Sequence, residues 1–316
     1  MKPLFRISLF ALIFVLVYFC ISVLSAFFYP FFSQVSNPML LQMLFIYLLS
    51  YGLPALIYAW ILKRKTGQPI ASQLGFCRIS LKSLLLTIGA AITVQPFFML
   101  LSSITQLFFK NITTATMQTM AQMPLWALLL SSAILPAIFE ELIFRGVIYQ
   151  GCRTNTPGWY SLLISALFFG LLHLNFQQSL YAFVAGFFLA LLVKATGSLW
   201  ASITAHLVIN GLQSLLSWFA LQSSTAAELA EIEALPSGFS AFLSLVPYLF
   251  LTAITLPLVI LCLRALFQLN QHSESAALQV KPRLSTDWHK GAWLMYVVLG
   301  LLFLYTLATE VILRLV

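Results

Sequence analysis

Charge is what this sequence has least of. Of its 316 residues only 8% are Asp, Glu, Lys or Arg, with 8 acidic side chains and 4 histidines in all. A soluble domain carries about 25% charged residues, so a water-exposed globular fold is excluded. A nucleic-acid-binding role is excluded too. The net charge is +8, but the basic residues are not gathered into one patch with aromatics; they sit in short loops. Cysteine is sparse: Cys20, Cys77, Cys152 and Cys262 include no CxxC pair, and two lie in apolar runs. That leaves neither a disulfide framework nor a thiolate metal site, and the four read as small packing residues. No internal repeat is visible.

What is abundant is apolar length. Hydrophobic residues make up 61% of the chain, and a membrane-spanning helix needs roughly 20 of them in succession. Nine such segments follow one another, at about 5–28, 39–62, 83–109, 125–152, 159–176, 178–195, 199–222, 241–267 and 292–315. All are expected to be helices, because an open strand edge finds no hydrogen-bond partner in lipid. The fold class is therefore all-α, a polytopic transmembrane bundle of eight to nine spans. The first run, behind Lys2 and Arg6, is too long and too aromatic at its end for a signal peptide and reads as an uncleaved span. Three regions are expected: 1–119, N-terminal spans with a connector at 65–82; 120–220, the core carrying the chemistry; and 221–316, an acidic loop and two last spans.

Loop charges set the orientation. If every segment crosses once, Lys2, Arg6, Lys63, Arg64, Lys65, Arg78, Lys82, Arg153, Lys194, Arg264, Lys281, Arg283 and Lys290 fall on one side. Lys110, Arg314 and the loop with Glu228, Glu231 and Glu233 fall on the other. The positive side is cytoplasmic, which places the N-terminus inside, in what reads as a bacterial inner membrane. The Leu74-Gly75-Phe76 stretch reads as a surface-lying part of the second loop, and 223–240 as a linker or a short amphipathic helix over the outer mouth. Trp159, Trp200 and Trp288 lie near predicted ends, as interfacial anchors do.

Against this background a few polar groups are out of place. Glu140 and Glu141 stand side by side in the fourth segment, and Arg145 is four residues beyond the second. His173 falls in the fifth segment, His206 and Asn210 in the seventh. A charged group at membrane depth costs several kcal/mol unless it faces protein or water, and marks a functional site by default. The depths agree. Glu140 is 12 residues from Cys152 and His173 is 14 from Trp159, roughly 18–21 Å in at about 1.5 Å per residue. His206 and Asn210 lie roughly 10–17 Å deep. Residues four apart share a helix face, so His206 and Asn210 project from one face, and Glu141 and Arg145 can form an ion pair. Glu140 then points about 100° away, free for chemistry. A carboxylate beside a neutral histidine in a wet cavity can activate water. A histidine and an amide on one face can donate to a developing oxyanion, each donor worth about 3 kcal/mol of barrier. Pro136, four residues before Glu140, either kinks the helix to make room or is simply tolerated.

Three motifs now stand in order on three segments. Glu140-Glu141-Leu142-Ile143-Phe144-Arg145 fits EExxxR, Phe169-Gly170-Leu171-Leu172-His173 fits FxxxH, and His206-Leu207-Val208-Ile209-Asn210 fits HxxxN. Together they resemble the CAAX prenyl endopeptidase and bacteriocin-processing family (CPBP), over about residues 120–220. The resemblance implies an intramembrane endopeptidase of about eight helices acting on membrane-associated peptides. In it Glu140 and His173 would activate water, His206 and Asn210 would form the oxyanion hole, Glu141 and Arg145 would shape the site, and Phe169 would pack beside it. No cofactor is then needed. A zinc-dependent version, with Glu140, His173 and His206 as ligands and water in the fourth place, stays open, although HExxH is absent. The eukaryotic branch cuts prenylated C-termini; here a peptide, lipoprotein or bacteriocin precursor is the expected partner, within the lipid bilayer and with no nucleic acid.

Other classes fit less well. A rhomboid-type serine needs GxSG, whereas Gly197-Ser198 is followed by Leu199; an intramembrane aspartyl protease needs two aspartates, and Asp287 stands alone in a loop. A proton-coupled transporter also buries Glu, His and Arg, and a non-catalytic immunity protein would keep the cavity as a binding pocket. Both remain alternatives.

Overall fold

The structure is a computed structural model that describes residues 3–109, 120, 122–223, 242–271 and 291–315. Lys110, the 224–240 segment with its glutamates, and the loop carrying His272, Asp287, Trp288 and His289 lie outside the described residues. Within them no strand occurs, and the long helices are α1 (Pro3–Phe27), α2 (Pro38–Thr66), α3 (Leu81–Gln106), α4 (Leu125–Arg153), α5 (Gly158–Leu171), α6 (Phe176–Thr196), α7 (Leu199–Ser223), α8 (Val246–Asn270) and α9 (Trp293–Leu315). Eight are long and apolar enough to cross a membrane; α5, with 14 residues, is not. The outward faces fit that reading, since Phe27, Phe250, Leu301 and many other large apolar side chains stand exposed, as lipid contact requires.

Two apolar cores hold the bundle. One joins α1, α2, α4, α5 and α9 around Phe14, Ile143, Phe144, Phe168, Met295 and Val298. The other joins α3, α6, α7 and α8 around Ala90, Phe98, Phe188, Leu192, Ala205 and Leu266. The helices that meet across the seam, α5 with α6 and α4 with α7, bring the rare polar residues to it. Gly170 and Gly186 let α5 and α6 approach closely. A Cβ on Gly170 would stand 2.7 Å from the Ser179 carbonyl oxygen, and one on Gly186 3.1 Å from the Phe169 ring.

Several helices depart from regular winding where the site is built. Residues Tyr47–Gly52, Leu130–Ile134 and Leu142–Tyr149 wind in wider turns with i→i+5 bonding, a feature frequent at functional sites. Pro136 accounts for the second. It has no N–H, and its ring clashes with the carbonyl four residues back, which is that of Ser132. The Leu135 N–H bonds to the Leu130 carbonyl instead.

Two expectations change. The fifth segment ends five residues early: α5 stops at Leu171, and His173 lies not inside a span but in the tight connector to α6. At 14 residues, or about 21 Å, α5 is shorter than the roughly 30 Å hydrocarbon layer. Irregular backbone at such depth is tolerated only where its polar groups are satisfied by protein or water, and here they are. The His173 N–H bonds to the Gly170 carbonyl, Asn175 Nδ2 donates to the His173 carbonyl at 2.8 Å, and Thr309 of α9 donates to the Leu174 carbonyl at 3.0 Å. Leu174 takes φ 58°, a left-handed conformation that costs a non-glycine residue about 1–2 kcal/mol. Asn175 then caps α6, accepting from the Gln178 N–H.

The Leu74–Phe76 stretch is not surface-lying. Leu74 is buried, the Gly75 carbonyl accepts the Leu199 N–H that opens α7, and the Phe76 ring packs edge-on against Trp200. Gly75 has φ 84°, which only glycine adopts freely.

Candidate active site

The seam holds a cavity of about 380 Å³. Glu140, Phe169, His173, His206 and Asn210 all line it, so three of the expected helices or their ends do aim their polar groups into one chamber. Glu141 and Arg145 lie just behind its wall.

Arg145 is fully buried and held on three sides. Its Nη1 donates to Glu141 Oε1 at 2.7 Å, its Nη2 donates to the Gly186 carbonyl at 2.7 Å, and its guanidinium lies 4.5 Å from the centre of the Phe169 ring. The expected Glu141–Arg145 pair is present, but Glu141 does more than pair. The same Oε1 accepts from His206 Nδ1 at 2.9 Å. A carboxylate paired with a guanidinium offers no proton, so His206 Nδ1 must carry one. On the other side of the ring Nε2 accepts from Asn210 Nδ2 at 3.2 Å. The second Asn210 proton goes to the Ser132 carbonyl at 3.1 Å, the acceptor that Pro136 displaces from the helix ladder.

Glu140 faces the opposite edge of the same imidazole, its Oε2 3.9 Å from His206 Nε2. Its Oε1 accepts the Tyr47 hydroxyl at 2.9 Å. His173 donates from Nδ1 to the Phe169 carbonyl at 2.8 Å, which leaves Nε2 as the atom free to accept a proton. Glu140 and His173 share the chamber without a direct bond between them. Phe169 sets the spacing, packing edge-on against His173 at 5.2 Å and His206 at 5.7 Å.

Tyr47 was not singled out from the sequence, nor were Tyr18 and Tyr51, which lie beside it. A signal existed in the i, i+4 tyrosines 47 and 51 on one face just before Pro54, in a segment otherwise read as lipid-facing. Among the described residues no group of three His, Cys, Asp or Glu side chains is placed so as to hold a metal ion.

An integral membrane protein, helical throughout its described residues, with a carboxylate, two histidines and an amide around one chamber is the class this geometry defines. Residues 122–212 match the family model of the type II CAAX prenyl endopeptidases, Rce1-like. A protein of Bacillus subtilis (strain 168) described as "Putative membrane peptidase YdiL" is 33% identical over 98 residues, which are 31% of this chain and 39% of that relative. No solved structure matches. The matched stretch coincides with the three motifs, so the resemblance read from them is found again independently, in the part of the chain that forms the chamber.

Proposed function

We propose that this protein is an intramembrane endopeptidase that hydrolyses peptide bonds of membrane-associated peptides or proteins without a metal. The observation that carries the reading is the convergence of Glu140, His173, His206 and Asn210 on one chamber. Glu140 takes a proton from water held between its carboxylate and His173 Nε2, and the water oxygen adds to the scissile carbonyl carbon. The carbonyl electrons move to oxygen, giving an oxyanion on the His206–Asn210 side. On that side the oxyanion takes the Asn210 Nδ2–H that His206 Nε2 accepts in the free protein, while Glu141, bonded to His206 Nδ1 at 2.9 Å, holds the imidazole in place; the carboxylate–histidine pairing of serine proteases orients its ring by the same logic. The proton on Glu140 then passes to the leaving nitrogen as the C–N bond breaks. The natural substrate class we favour is a bacterial peptide, lipoprotein or bacteriocin precursor reached from the bilayer of the inner membrane, with the chain's N-terminus cytoplasmic.

The test is cleavage of a membrane-peptide library by the purified protein, with and without chelator. Cleavage resistant to chelation and abolished by Glu140→Gln is the expected result. Loss on chelation would return the zinc version. Proton-linked flux with no cleavage would point to a transporter, and an unaltered protective effect of Glu140→Gln in cells to an immunity protein.

A further inference from the structure

Glu140 borders two chambers. Beside the large one lies a second cavity of about 180 Å³, walled by Tyr18 of α1, Tyr47 and Tyr51 of α2, and Leu172. The two share Glu140, Tyr47, Phe169, His173 and Gln178 as their common wall. The two carboxylate oxygens have different neighbours: Oε1 accepts from the Tyr47 hydroxyl, and Oε2 lies nearest His206. Their far walls differ in kind. Those of the large chamber include Met43, Phe98, Met120, Ala185, Leu189 and Ile209, apolar groups suited to side chains of a peptide. Those of the small one are Tyr18, Tyr51, Phe144 and Leu172, and Tyr47 on the common wall donates its hydroxyl to the carboxylate.

Water occupies a cavity that is polar and larger than about 10–15 Å³, given two to four polar partners. The small chamber exceeds that size more than tenfold. Three tyrosines, Glu140 and His173 are the polar residues among those that line it, with Gln178. Hydrolysis consumes one water per bond cut, and a peptide filling the large chamber displaces the water there. We propose that the tyrosine-walled chamber is a water store, from which the hydrolytic water reaches Glu140 and His173 while the peptide occupies the large chamber. This rests on the peptidase reading and adds to it a binding site for water to which α1 and α2 contribute three tyrosines from outside residues 122–212.

Hydroxyl-radical footprinting of the unmodified protein in micelles tests the store directly, because radicals formed from bound water oxidise the side chains beside it. Tyr51 should be oxidised several-fold faster than the equally buried Tyr149 and Tyr160, which line neither chamber, and the part-buried Tyr18 at least as fast as Tyr51. A kinetic arm uses the Tyr18→Phe/Tyr51→Phe double variant on a library peptide cleaved by the parent. A fall in kcat of about fivefold or more is expected, with KM and thermal midpoint unchanged, as removal of two hydroxyls at constant volume should give. If the parent cleaves but the two tyrosines are oxidised no faster than the comparators, or the double variant keeps the parent's kcat, the water store is overturned and the peptidase reading stands. If they are oxidised and the parent cleaves nothing, the peptidase reading falls and the hydrolytic role of the water falls with it.

Discussion

Replacing Arg145 with methionine removes a guanidinium that no solvent reaches and leaves the Glu141 charge buried. Breaking a buried pair by deleting one partner costs about 3–5 kcal/mol. The loss of the contact over Phe169 adds about 1 kcal/mol. Against this, Glu141 keeps its bond from His206 Nδ1 at 2.9 Å, and a charge-assisted bond is worth about 1.5–3 kcal/mol. The balance puts the expected destabilisation at the lower end, about 3 kcal/mol. Methionine at both 141 and 145 separates stability from chemistry. Exchanging a buried ion pair for apolar side chains is often neutral or stabilising by about 1–4 kcal/mol, whereas the stranded His206 Nδ1–H costs about 1–3 kcal/mol. The double variant should therefore return to within about 2 kcal/mol of the parent. Cleavage should not return with it, because His206 has lost the carboxylate that orients it; a drop of at least about 100-fold is expected, by analogy with loss of the orienting carboxylate in a serine-protease triad. Equilibrium unfolding in mixed micelles gives the first quantity, and peptide cleavage the second. A single variant destabilised by less than about 1 kcal/mol, or a double variant that cleaves like the parent, would refute the reasoning.

Pro136→Ala restores the N–H that can claim the Ser132 carbonyl from Asn210; cleavage should fall about tenfold, as for one weakened oxyanion donor, while the thermal midpoint holds or rises. An unchanged kcat would show that Asn210 needs no such anchor. Gly170→Ala sets a methyl 2.7 Å from the Ser179 carbonyl oxygen, and overpacking of that kind costs about 1–3 kcal/mol; denaturant unfolding should show it, with reduced cleavage because His173 follows three residues later. Tyr47→Phe removes the 2.9 Å bond to Glu140; cleavage should fall at least tenfold with a stability change of about 1 kcal/mol, and a variant as active as the parent would show that Glu140 is held without it.

The helices and the chamber were legible because membrane physics leaves so few choices. Long apolar runs must be helical, so Glu140, Glu141, Arg145, His206 and Asn210 could be placed on faces by counting, and the Glu141–Arg145 and His206–Asn210 pairs follow from i, i+4 spacing. His173 was harder. Its neighbours are apolar on both sides, so composition carries the helix on through Leu172 and Leu174, whereas the close packing of α5 on α6 at Gly170 turns the chain early. Glu141 was read as half of a pair because spacing along one helix cannot show that a histidine from another helix shares its oxygen. Tyr47 lies 93 residues from Glu140, and no periodicity reports a contact of that range. Leu74 reads as surface because its stretch is short and follows polar residues; only the packing against α4 and α7 buries it.

One last consequence follows from where the ends of the chain reach. The ionisable groups of the centre come from a single central stretch, yet Tyr47 steadies Glu140 from the N-terminal side and Thr309 pins the His173 turn from the C-terminal side. A graft of that stretch alone into another bundle would carry every reactive atom and lose the two braces that aim them.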